Sequence, residues 1–209
     1  MLQQTATSRR TIQVRYRADI TAGGLKVRES RIIVDLLLKN TSEEGWQAAL
    51  FEGNVLQARN PETSRRLSRL LRARLSPMDS ELWRLVRDGP SLVATHACLA
   101  AAVKHSPLLG DFLDLIVREH YRLFQPTLSK KLWEDYLADC RGRDPEMPLW
   151  NESTHRRLRS SVFQSLAQAG FIESTRTLRL QPVHIAPQVL DYLRSHREDY
   201  VLHCIELTA

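Results

Sequence analysis

The sequence predicts a mainly α-helical protein of two parts, and three observations lead to that fold class. Apolar residues recur at helical spacing along most of the 209-residue chain. Polar capping residues precede these runs, and proline or glycine follows them. The alternating segment at residues 178–181 predicts only a small hairpin. We place the boundary near Pro107, between an amino-terminal helical bundle (residues 1–107) and a carboxy-terminal domain (residues 108–209).

Residues 127–172 organise the carboxy-terminal domain as two helices joined by an irregular connector. The connector contains two prolines and cannot stay helical, because proline removes a backbone donor and restricts the residue before it. The second helix covers residues 153–169. Asn151 and Ser153 offer caps at its start, and Gly170 stands where a helix ends.

A hairpin is predicted directly after this second helix. Phe171-Ile172 is apolar, residues 173–177 are turn-like, and residues 178–181 alternate with period two. Helix, connector, helix and hairpin is the order of a winged helix-turn-helix, in which the second helix enters the major groove and the wing touches the DNA backbone. We therefore expect a winged helix-turn-helix-like unit with a small hairpin.

The second helix has one apolar side and one side of hydrogen-bond donors. The apolar side carries Leu158, Val162, Leu166 and Ala169. The opposite side carries donors suited to phosphates and base edges, namely His155, Arg156, Arg159, Ser160, Gln164 and Gln168. The candidate nucleic-acid contacts in this region are Ser153, Thr154, Arg156, Arg157, Arg159 and, in the turn of the hairpin, Arg176. The alternative is an amphipathic helix packed on a bundle, with its arginines merely solvated.

The most basic element is a helix predicted over residues 61–75. Asn60 caps it and Pro61 occupies its first position. Its outer side is predicted to carry Arg65, Arg66, Arg69, Arg72 and Arg74, opposed only by Glu62. Arginines without acidic neighbours repel one another unless counterions or phosphates gather there. Arg59, Arg65, Arg66, Arg69 and Arg72 are therefore candidate phosphate contacts, although a solvated face would show the same pattern.

Charge is unevenly distributed along the chain. The formal net charge is +6, but residues 1–110 alone carry +7. A negatively charged partner such as nucleic acid would be attracted mainly to this half of the chain. Arginine makes up 25 of the 30 basic residues, which suits bidentate phosphate contacts but also follows from a coding bias. Near the amino terminus, Arg9, Arg10, Arg15 and Arg17 form either a solubilising tail or an arm for phosphates.

The remaining elements are predicted from their apolar spacing and caps. They comprise a short strand around Ile12 to Tyr16, a helix over Leu25 to Lys39, a helix with Trp46 and Leu50, a buried helix over 91–104, a helix capped by Asp111 that runs to Phe124, a helix from Pro187, and a terminal strand at Tyr200 to Leu207.

Several function classes lack their sequence signals. The chain has no P-loop, dinucleotide-binding, hydrolase-elbow or H-E-x-x-H motif. Its three cysteines are widely spaced and favour a reducing compartment. The apolar run from Leu92 to Val103 is well short of the ~20 residues that span a bilayer. We expect no enzymatic activity, no cofactor, no metal, no membrane insertion, a cytoplasmic location and a monomer.

Several of these segments resemble the BrxA family of bacteriophage exclusion (BREX) defence systems. They are TSRRLSRLLRARL (63–75), a Leu-Trp pair (82–83), SPLLGDFLDLIVREHY (106–121), TLSKKLWEDYL (127–137) and NESTHRRLRSSVFQSLAQAGFI (151–172). The most specific part is S-T-x-x-[KR]-L-R followed by an apolar helix ending A-G-[FL]-[IL]. The resemblance covers roughly residues 25–185.

The resemblance implies a small, mostly helical, soluble protein encoded beside a phage-defence methyltransferase and ATPases. It also implies DNA binding without an enzymatic activity of its own. Some members have been described as inner-membrane proteins, which does not suit the short apolar run here.

We therefore expect double-stranded DNA as the partner, with other BREX proteins as candidate further partners. The contacts should be mainly to backbone phosphates, because many arginines with few Asn or Gln favour affinity over sequence choice. A protein–protein adaptor whose arginines meet acidic surfaces and an RNA-binding helical protein are the alternatives.

Overall fold

The computed structural model describes residues 15–21 and 23–207, which form a mainly helical protein as predicted. Its helices are α1 (Val27–Leu38), α2 (Glu43–Gln47), α3 (Pro61–Leu75), α4 (Ser80–Asp88), α5 (Ser91–His105), α6 (Pro107–Phe112), α7 (Arg118–Arg122), α8 (Lys130–Arg143), α9 (Glu152–Gln168), α10 (Pro187–Ser195) and α11 (Asp199–Ile205). One π-helical turn, Ala48–Glu52, continues α2, and another, Leu113–Val117, joins α6 to α7.

Helix α5 is the buried centre of the amino-terminal half, as its apolar run predicts. Most of its residues between Val93 and Val103 are inaccessible to solvent, and α3, α4 and α11 pack against it. The predicted start of α3 is also confirmed, because the Asn60 side chain accepts the Thr63 N–H at 2.8 Å and Pro61 occupies the first turn. One layer of helices thus surrounds a helix of small side chains.

The helix predicted to start at Asp111 begins four residues earlier, at Pro107. Asp111 is therefore not a cap; it lies one turn inside the helix and is 7% exposed. Its carboxylate accepts the hydroxyls of Tyr16 and Tyr200, each at 2.7 Å, and pairs with the Arg15 guanidinium at 2.8 Å. These three partners come from both ends of the chain, so no local signal marks Asp111 as a buried acceptor.

A segment before α1, here called the strap (residues 15–21 and 23–25), crosses the protein. Tyr16, Ile20 and Leu25 are buried in the core. The Asp144 carboxylate, just after α8, accepts the backbone N–H groups of Arg15 at 2.9 Å and Tyr16 at 3.1 Å. The predicted strand over residues 12–16 falls mostly outside the described residues, as do the arginines at positions 9 and 10.

An aromatic cluster holds α6, α8 and α9 together. The Phe112 ring lies 5.5 Å from Trp133, 5.2 Å from Tyr136 and 6.0 Å from Phe163, measured between centroids. Such tilted and edge-on pairs add specific geometry to the burial of large apolar surfaces. The core side of α9 is therefore pressed against α8, as the helix periodicity predicts.

The predicted hairpin is present as short antiparallel bridges rather than full strands. Ile172 pairs with Leu180, and Thr127 pairs with Arg179. The second bridge adds a third extended segment, residues 126–128, immediately before α8. The order is thus a helix to Arg122, an extended segment, α8, α9, and two further extended segments joined by a turn.

The terminal strand predicted at Tyr200 to Leu207 is wrong, because these residues form α11. Its buried residues are Val201, Cys204 and Ile205, which lie at i, i+3 and i+4. That spacing puts all three on one side of a helix, whereas a strand would divide them between two faces.

Within residues 15–21 and 23–207, no single helix is long and apolar enough to cross a membrane. Helix α5 and the helix Pro107–Arg122 meet that requirement of length and composition only when taken together, and this pair is bent by 107°.

His96 on α5 is fully buried and accepts the Ala186 N–H at its Nδ1 atom, at 2.9 Å. The neutral ring therefore carries its proton on Nε2. Burial lowers the pKa of His96 below its ordinary value, because the charged imidazolium would lose its hydration.

We predict that acid removes the stabilisation that His96 provides. In the unfolded chain His96 binds a proton near its ordinary pKa of about 6.5, whereas the folded protein resists protonation, so acid favours the unfolded state. The difference in free energy of unfolding between wild type and His96→Gln should narrow from about pH 7.5 to about pH 5 in urea titrations. His184→Gln, at an exposed position, is the control for replacing a histidine by glutamine. A constant difference for His96→Gln would contradict the prediction.

Candidate nucleic-acid interface

The amino-terminal half of α9 presents arginines to solvent. Asn151 caps the helix as predicted, accepting the Thr154 N–H at 2.9 Å. Ser153, Arg156 and Arg157 are exposed and Thr154 is half-buried. The nearest carboxylate to Arg156 is that of Glu152, at 3.9 Å, with both side chains largely in water. Within the described residues Arg157 forms no ion pair, so these two guanidinium groups are available to an external anion.

Arg159 and His155 line one hollow together with Arg156, and both are held by α8. The Arg159 guanidinium pairs with Glu134 at 2.8 Å, and His155 Nδ1 lies 3.9 Å from the same carboxylate. Arg141 approaches the other nitrogen of His155 at 3.2 Å. Both side chains are predicted donors to phosphates and base edges, and α8 supplies each of them with a partner that local spacing cannot reveal. Whether Arg159 also contacts nucleic acid stays a prediction.

The carboxy-terminal half of α9 binds the strap. The backbone N–H of Gly23 donates to Ser161 Oγ at 3.1 Å, that of Gly24 to Gln164 Oε1 at 3.1 Å, and that of Leu25 to Gln168 Oε1 at 2.6 Å. Three successive backbone donors are therefore satisfied by one stripe of α9. Both glutamines are exposed as predicted, but their oxygens accept the protein's own backbone N–H groups, so only their Nε2 groups remain as donors.

Gly24 also connects the strap to α3. Its carbonyl accepts a hydrogen bond from Arg74 Nη1 at 2.9 Å, and Arg74 is 3% exposed. The prediction that Arg74 belongs to the outer side of α3 is wrong. It follows Arg65 by nine residues, which is two and a half helical turns, so it points to the opposite side. Burial lowers the pKa of Arg74 to about 10, although the nearby Asp19 carboxylate opposes that shift.

The outer side of α3 forms a groove with α2 and the π-helical turn that follows it. We call it the α3 groove; it measures about 300 Å³ and is lined by Glu43, Gln47, Leu50, Phe51, Arg65, Ser68, Arg69 and Arg72. The Arg65 guanidinium lies 4.8 Å above the Phe51 ring, and that of Arg72 lies 4.4 Å above the Trp46 ring. The predicted basic side of α3 is thus a concave surface rather than a solvated rod.

Acidic residues only partly neutralise the arginines around α3. Arg65 lies 3.6 Å from Glu62, and Arg72 lies 3.6 Å from Glu43, with all four side chains well exposed. Exposed pairs of this kind contribute little, roughly 0–1 kcal/mol. Arg59, Arg66 and Arg69 form no ion pair within the described part of the chain. Arg59 lines a neighbouring hollow of about 180 Å³ that shares Leu50 and Phe51 with the α3 groove.

The turn between the last two extended segments is shaped by Ser174. Its Oγ accepts the N–H groups of Arg176 at 3.3 Å and Thr177 at 3.1 Å. Arg176 is exposed at the tip of this turn. Lys130 and Lys131 at the start of α8, and Arg179 in the hairpin, are exposed basic residues of the same region that the sequence did not single out. The bridge between Thr127 and Arg179 brings these separate elements together, through the bonds from the Leu128 N–H to the Leu178 carbonyl and from the Leu180 N–H to the Pro126 carbonyl, each at 2.9 Å.

Metal and thiol chemistry find no support among the residues that the structure describes. They contain no group of three or more His, Cys, Asp or Glu side chains that could hold a metal ion. All three cysteines are buried. Burial raises the pKa of Cys98 to about 11 and that of Cys204 to about 12, so these thiols stay protonated near neutral pH.

These features define a mainly helical protein with exposed arginines on two helices and a small hairpin after the second helix of a helix pair. The sequence profile of the BrxA family matches residues 14–197, and the chain belongs to that family. It is 50% identical to BREX protein BrxA of Paramagnetospirillum magneticum over 194 residues, which cover 93% of this chain and 98% of the relative. It is 28% identical to BREX protein BrxA of Escherichia coli O9:H4 over 188 residues, covering 90% and 88% of the two chains.

A solved structure has the same fold. It is the crystal structure of an uncharacterized protein from Magnetospirillum magneticum, which matches with a TM-score of 0.85 and 48% identity. The match covers 93% of this chain and 100% of the other.

We predict that Gly24→Ala destabilises the protein by roughly 1–2 kcal/mol. An added Cβ would lie 2.3 Å from Gln168 Oε1, so the side chain must move and release the N–H of Leu25. Gly142→Ala is the matched control, because a Cβ there meets nothing within 4 Å, and removing a helical glycine should stabilise by roughly 0.5–1 kcal/mol. Urea denaturation measures both. Equal shifts for the two variants would show that Gly24 is not a packing constraint.

Proposed function

We propose that this member of the BrxA family is a non-enzymatic DNA-binding accessory protein of a BREX phage-defence system. It would act in the cytoplasm on double-stranded DNA, through the first half of α9 and the turn at Arg176. The observation that carries the proposal is the pair Arg156 and Arg157, whose exposed guanidinium groups lie near the capped start of α9. Among the described residues, their one ion pair is the water-exposed contact between Arg156 and Glu152 at 3.9 Å.

The order of the surrounding elements supports a winged helix-turn-helix mode of binding. A helix, an extended segment, α8, α9 and two extended segments joined by a turn follow one another. In that arrangement the second helix of the pair approaches the major groove and the turn approaches the backbone. Arg176 at the tip of the turn, together with Lys130 and Lys131 at the start of α8, would then supply backbone contacts beside α9.

The chemistry of α9 favours phosphate contacts over base reading. Glutamine is a side chain that reads adenine, but the oxygens of Gln164 and Gln168 are bound to the strap. In the first half of α9 the exposed donors are chiefly arginine and serine side chains. Bidentate reading of adenine by the two glutamines would need the oxygens that the strap occupies. Backbone contacts dominate affinity and make it depend strongly on salt, so we propose weak sequence preference.

The arginines of α3 are proposed as a separate basic surface. Arg74 points from α3 towards Gly24, and Gly24 lies against α9. The side of α3 with Arg65, Arg69 and Arg72 is opposite Arg74, so it is turned away from α9. One straight duplex on α9 would not also fill the α3 groove. The predicted phosphate contacts of Arg59, Arg65, Arg66, Arg69 and Arg72 would therefore require a second nucleic-acid segment.

We predict a steep salt dependence for binding to a duplex of about 25 base pairs. Arg156→Ala combined with Arg157→Ala should reduce the slope of log K against log salt by about two, one for each phosphate that the variant no longer neutralises. Arg84→Ala with Arg194→Ala, on α4 and α10, removes the same charge elsewhere and is the control. Fluorescence anisotropy between about 50 and 200 mM salt measures the slopes.

Two results would contradict this proposal. One is a flat salt dependence of wild-type binding. The other is an equal loss of slope in the α9 and control variants, which would leave only a general charge effect. Competition with a single-stranded RNA of equal length tests the alternative nucleic acid in the same assay.

We also predict that Glu134→Gln strengthens duplex binding several-fold, because it removes a carboxylate beside Arg159 and His155. With the carboxylate gone, Arg159 becomes available to a phosphate, so the salt slope should steepen by about one. Asp135→Asn is the matched control, since Asp135 is the next exposed residue of α8 and forms no ion pair in the described region. If both variants bind equally, net charge alone is responsible.

A further inference from the structure

The α3 groove is concave and already shaped before any ligand binds. Arg65, Arg69 and Arg72 lie at i, i+4 and i+7, so they share one side of α3. The Arg65 guanidinium lies over the Phe51 ring of the opposite wall, and that of Arg72 lies over the Trp46 ring, which is buried beneath the groove. Stacking on an aromatic face restrains the guanidinium plane and leaves its edge N–H groups free to donate. The groove therefore presents ordered donors rather than mobile charges.

The size of the groove suits side chains better than a duplex. Its volume of about 300 Å³ lies between two helical walls. A DNA duplex is a convex rod whose grooves admit protein helices, so its backbone cannot enter such a hollow along its length. An amphipathic peptide can, because individual side chains enter a hollow of this size while the remaining ones reach its rim.

The lining of the groove combines two chemistries. Leu50 and Phe51 provide apolar surface on one wall, while Arg65, Arg69 and Arg72 form the other. The same apolar pair continues into the neighbouring hollow, where Arg59 stands at the edge. Apolar side chains flanked by carboxylates would match this arrangement, since Arg clusters recognise acidic motifs and grooves recognise amphipathic helices. Arg is also among the residues that most often dominate protein interfaces.

We propose that the α3 groove binds an acidic, amphipathic segment of a partner protein. This site is distinct from the α9 surface of the proposed DNA contact, because the groove opens on the side of α3 opposite Arg74 and the strap. Carboxylates of the segment pair with Arg69 and with the free edges of Arg65 and Arg72. Its apolar residues pack on Leu50 and Phe51. Glu43 at the rim pairs with Arg72 only at 3.6 Å and yields to an incoming carboxylate.

A designed peptide tests the groove directly. The probe is a fluorescein-labelled peptide of about 18 residues, a typical groove-binding helix, with leucine at i, i+3, i+4 and i+7 and glutamate at most other positions. A scrambled peptide of identical composition keeps the charge but loses the apolar stripe. Both are titrated with the full chain and followed by fluorescence anisotropy, alone and in the presence of the duplex.

Two variants of α3 form a matched pair for this assay. Arg69→Gln removes a guanidinium that lines the groove, whereas Arg66→Gln removes an exposed neighbour that does not. Arg69→Gln should weaken the patterned peptide roughly tenfold, as expected for one charge-assisted contact. Arg66→Gln should change its affinity less than about twofold, because long-range charge alone is screened by salt. Wild-type protein should bind the patterned peptide and the duplex at the same time.

Each contrary result has a definite meaning. Absence of saturable binding, or equal binding of the scrambled peptide, overturns the groove as a peptide site. If Arg69→Gln and Arg66→Gln lose equal peptide affinity, the binding reflects only general electrostatic attraction to α3. Displacement of the peptide by duplex, or a salt slope for duplex that falls by about one in Arg69→Gln, assigns the groove to nucleic acid. Failure of the duplex to bind at all removes the DNA proposal and leaves the peptide result standing.

Discussion

The peptide groups around Gly24 hold two arginine-bearing helices in one arrangement. Its N–H is bound by Gln164 of α9 and its carbonyl by Arg74 of α3. Buried polar groups of this kind must be satisfied, since an unpaired one costs about 1–3 kcal/mol. Neither helix can therefore rotate about its own axis without breaking a bond to the strap. The direction in which each basic surface points follows from this constraint.

The same constraint decides which polar side chains remain for a partner. The stripe of α9 with Ser161, Gln164 and Gln168 is bound to the strap, and the Arg159 guanidinium is paired with the Glu134 carboxylate. What remains is a short exposed stretch at the start of the helix. A recognition surface of this composition gains affinity from charge more than from base-specific hydrogen bonds. If the proposed DNA binding holds, its weak sequence preference would be a consequence of the fold rather than of the arginine count.

Local signals predicted the elements better than they predicted their partners. The Asn60-Pro61 and Asn151 caps act within four residues of the chain, and both helix starts were correct. Pro107 illustrates a near miss, because Asp111 looks like a cap until its distant partners Tyr16 and Tyr200 are known. A buried acceptor with partners about 90 residues away leaves no trace in local spacing.

The candidate site shows the same limit. Helical spacing places Arg65, Arg69 and Arg72 on one side of α3, but it cannot reveal that Phe51 forms the facing wall or that Arg72 covers the buried Trp46 ring. The arginine count likewise led to the prediction that Arg74 faces solvent. The spacing of two and a half turns between Arg65 and Arg74 already places Arg74 on the opposite side of α3. The role of Glu134 depends on how α8 packs against α9. That packing is a tertiary contact through the Phe112 ring, which touches Trp133 of α8 and Phe163 of α9.

If both proposed contacts form, two basic surfaces that face different directions would let one protein hold two partners together. Two partners held in this way that also contact each other would gain effective concentration, by roughly 10²–10⁴ for well-matched geometry. A rigid connection is needed for this, because a loose hinge would spread the second site over many positions. The strap supplies that rigidity through Gly24, since the bonds that fix α3 and α9 pass through the same residue. Selection for a defined angle between the two surfaces would thus act on Gly24, Arg74 and Gln164, none of which need touch either partner.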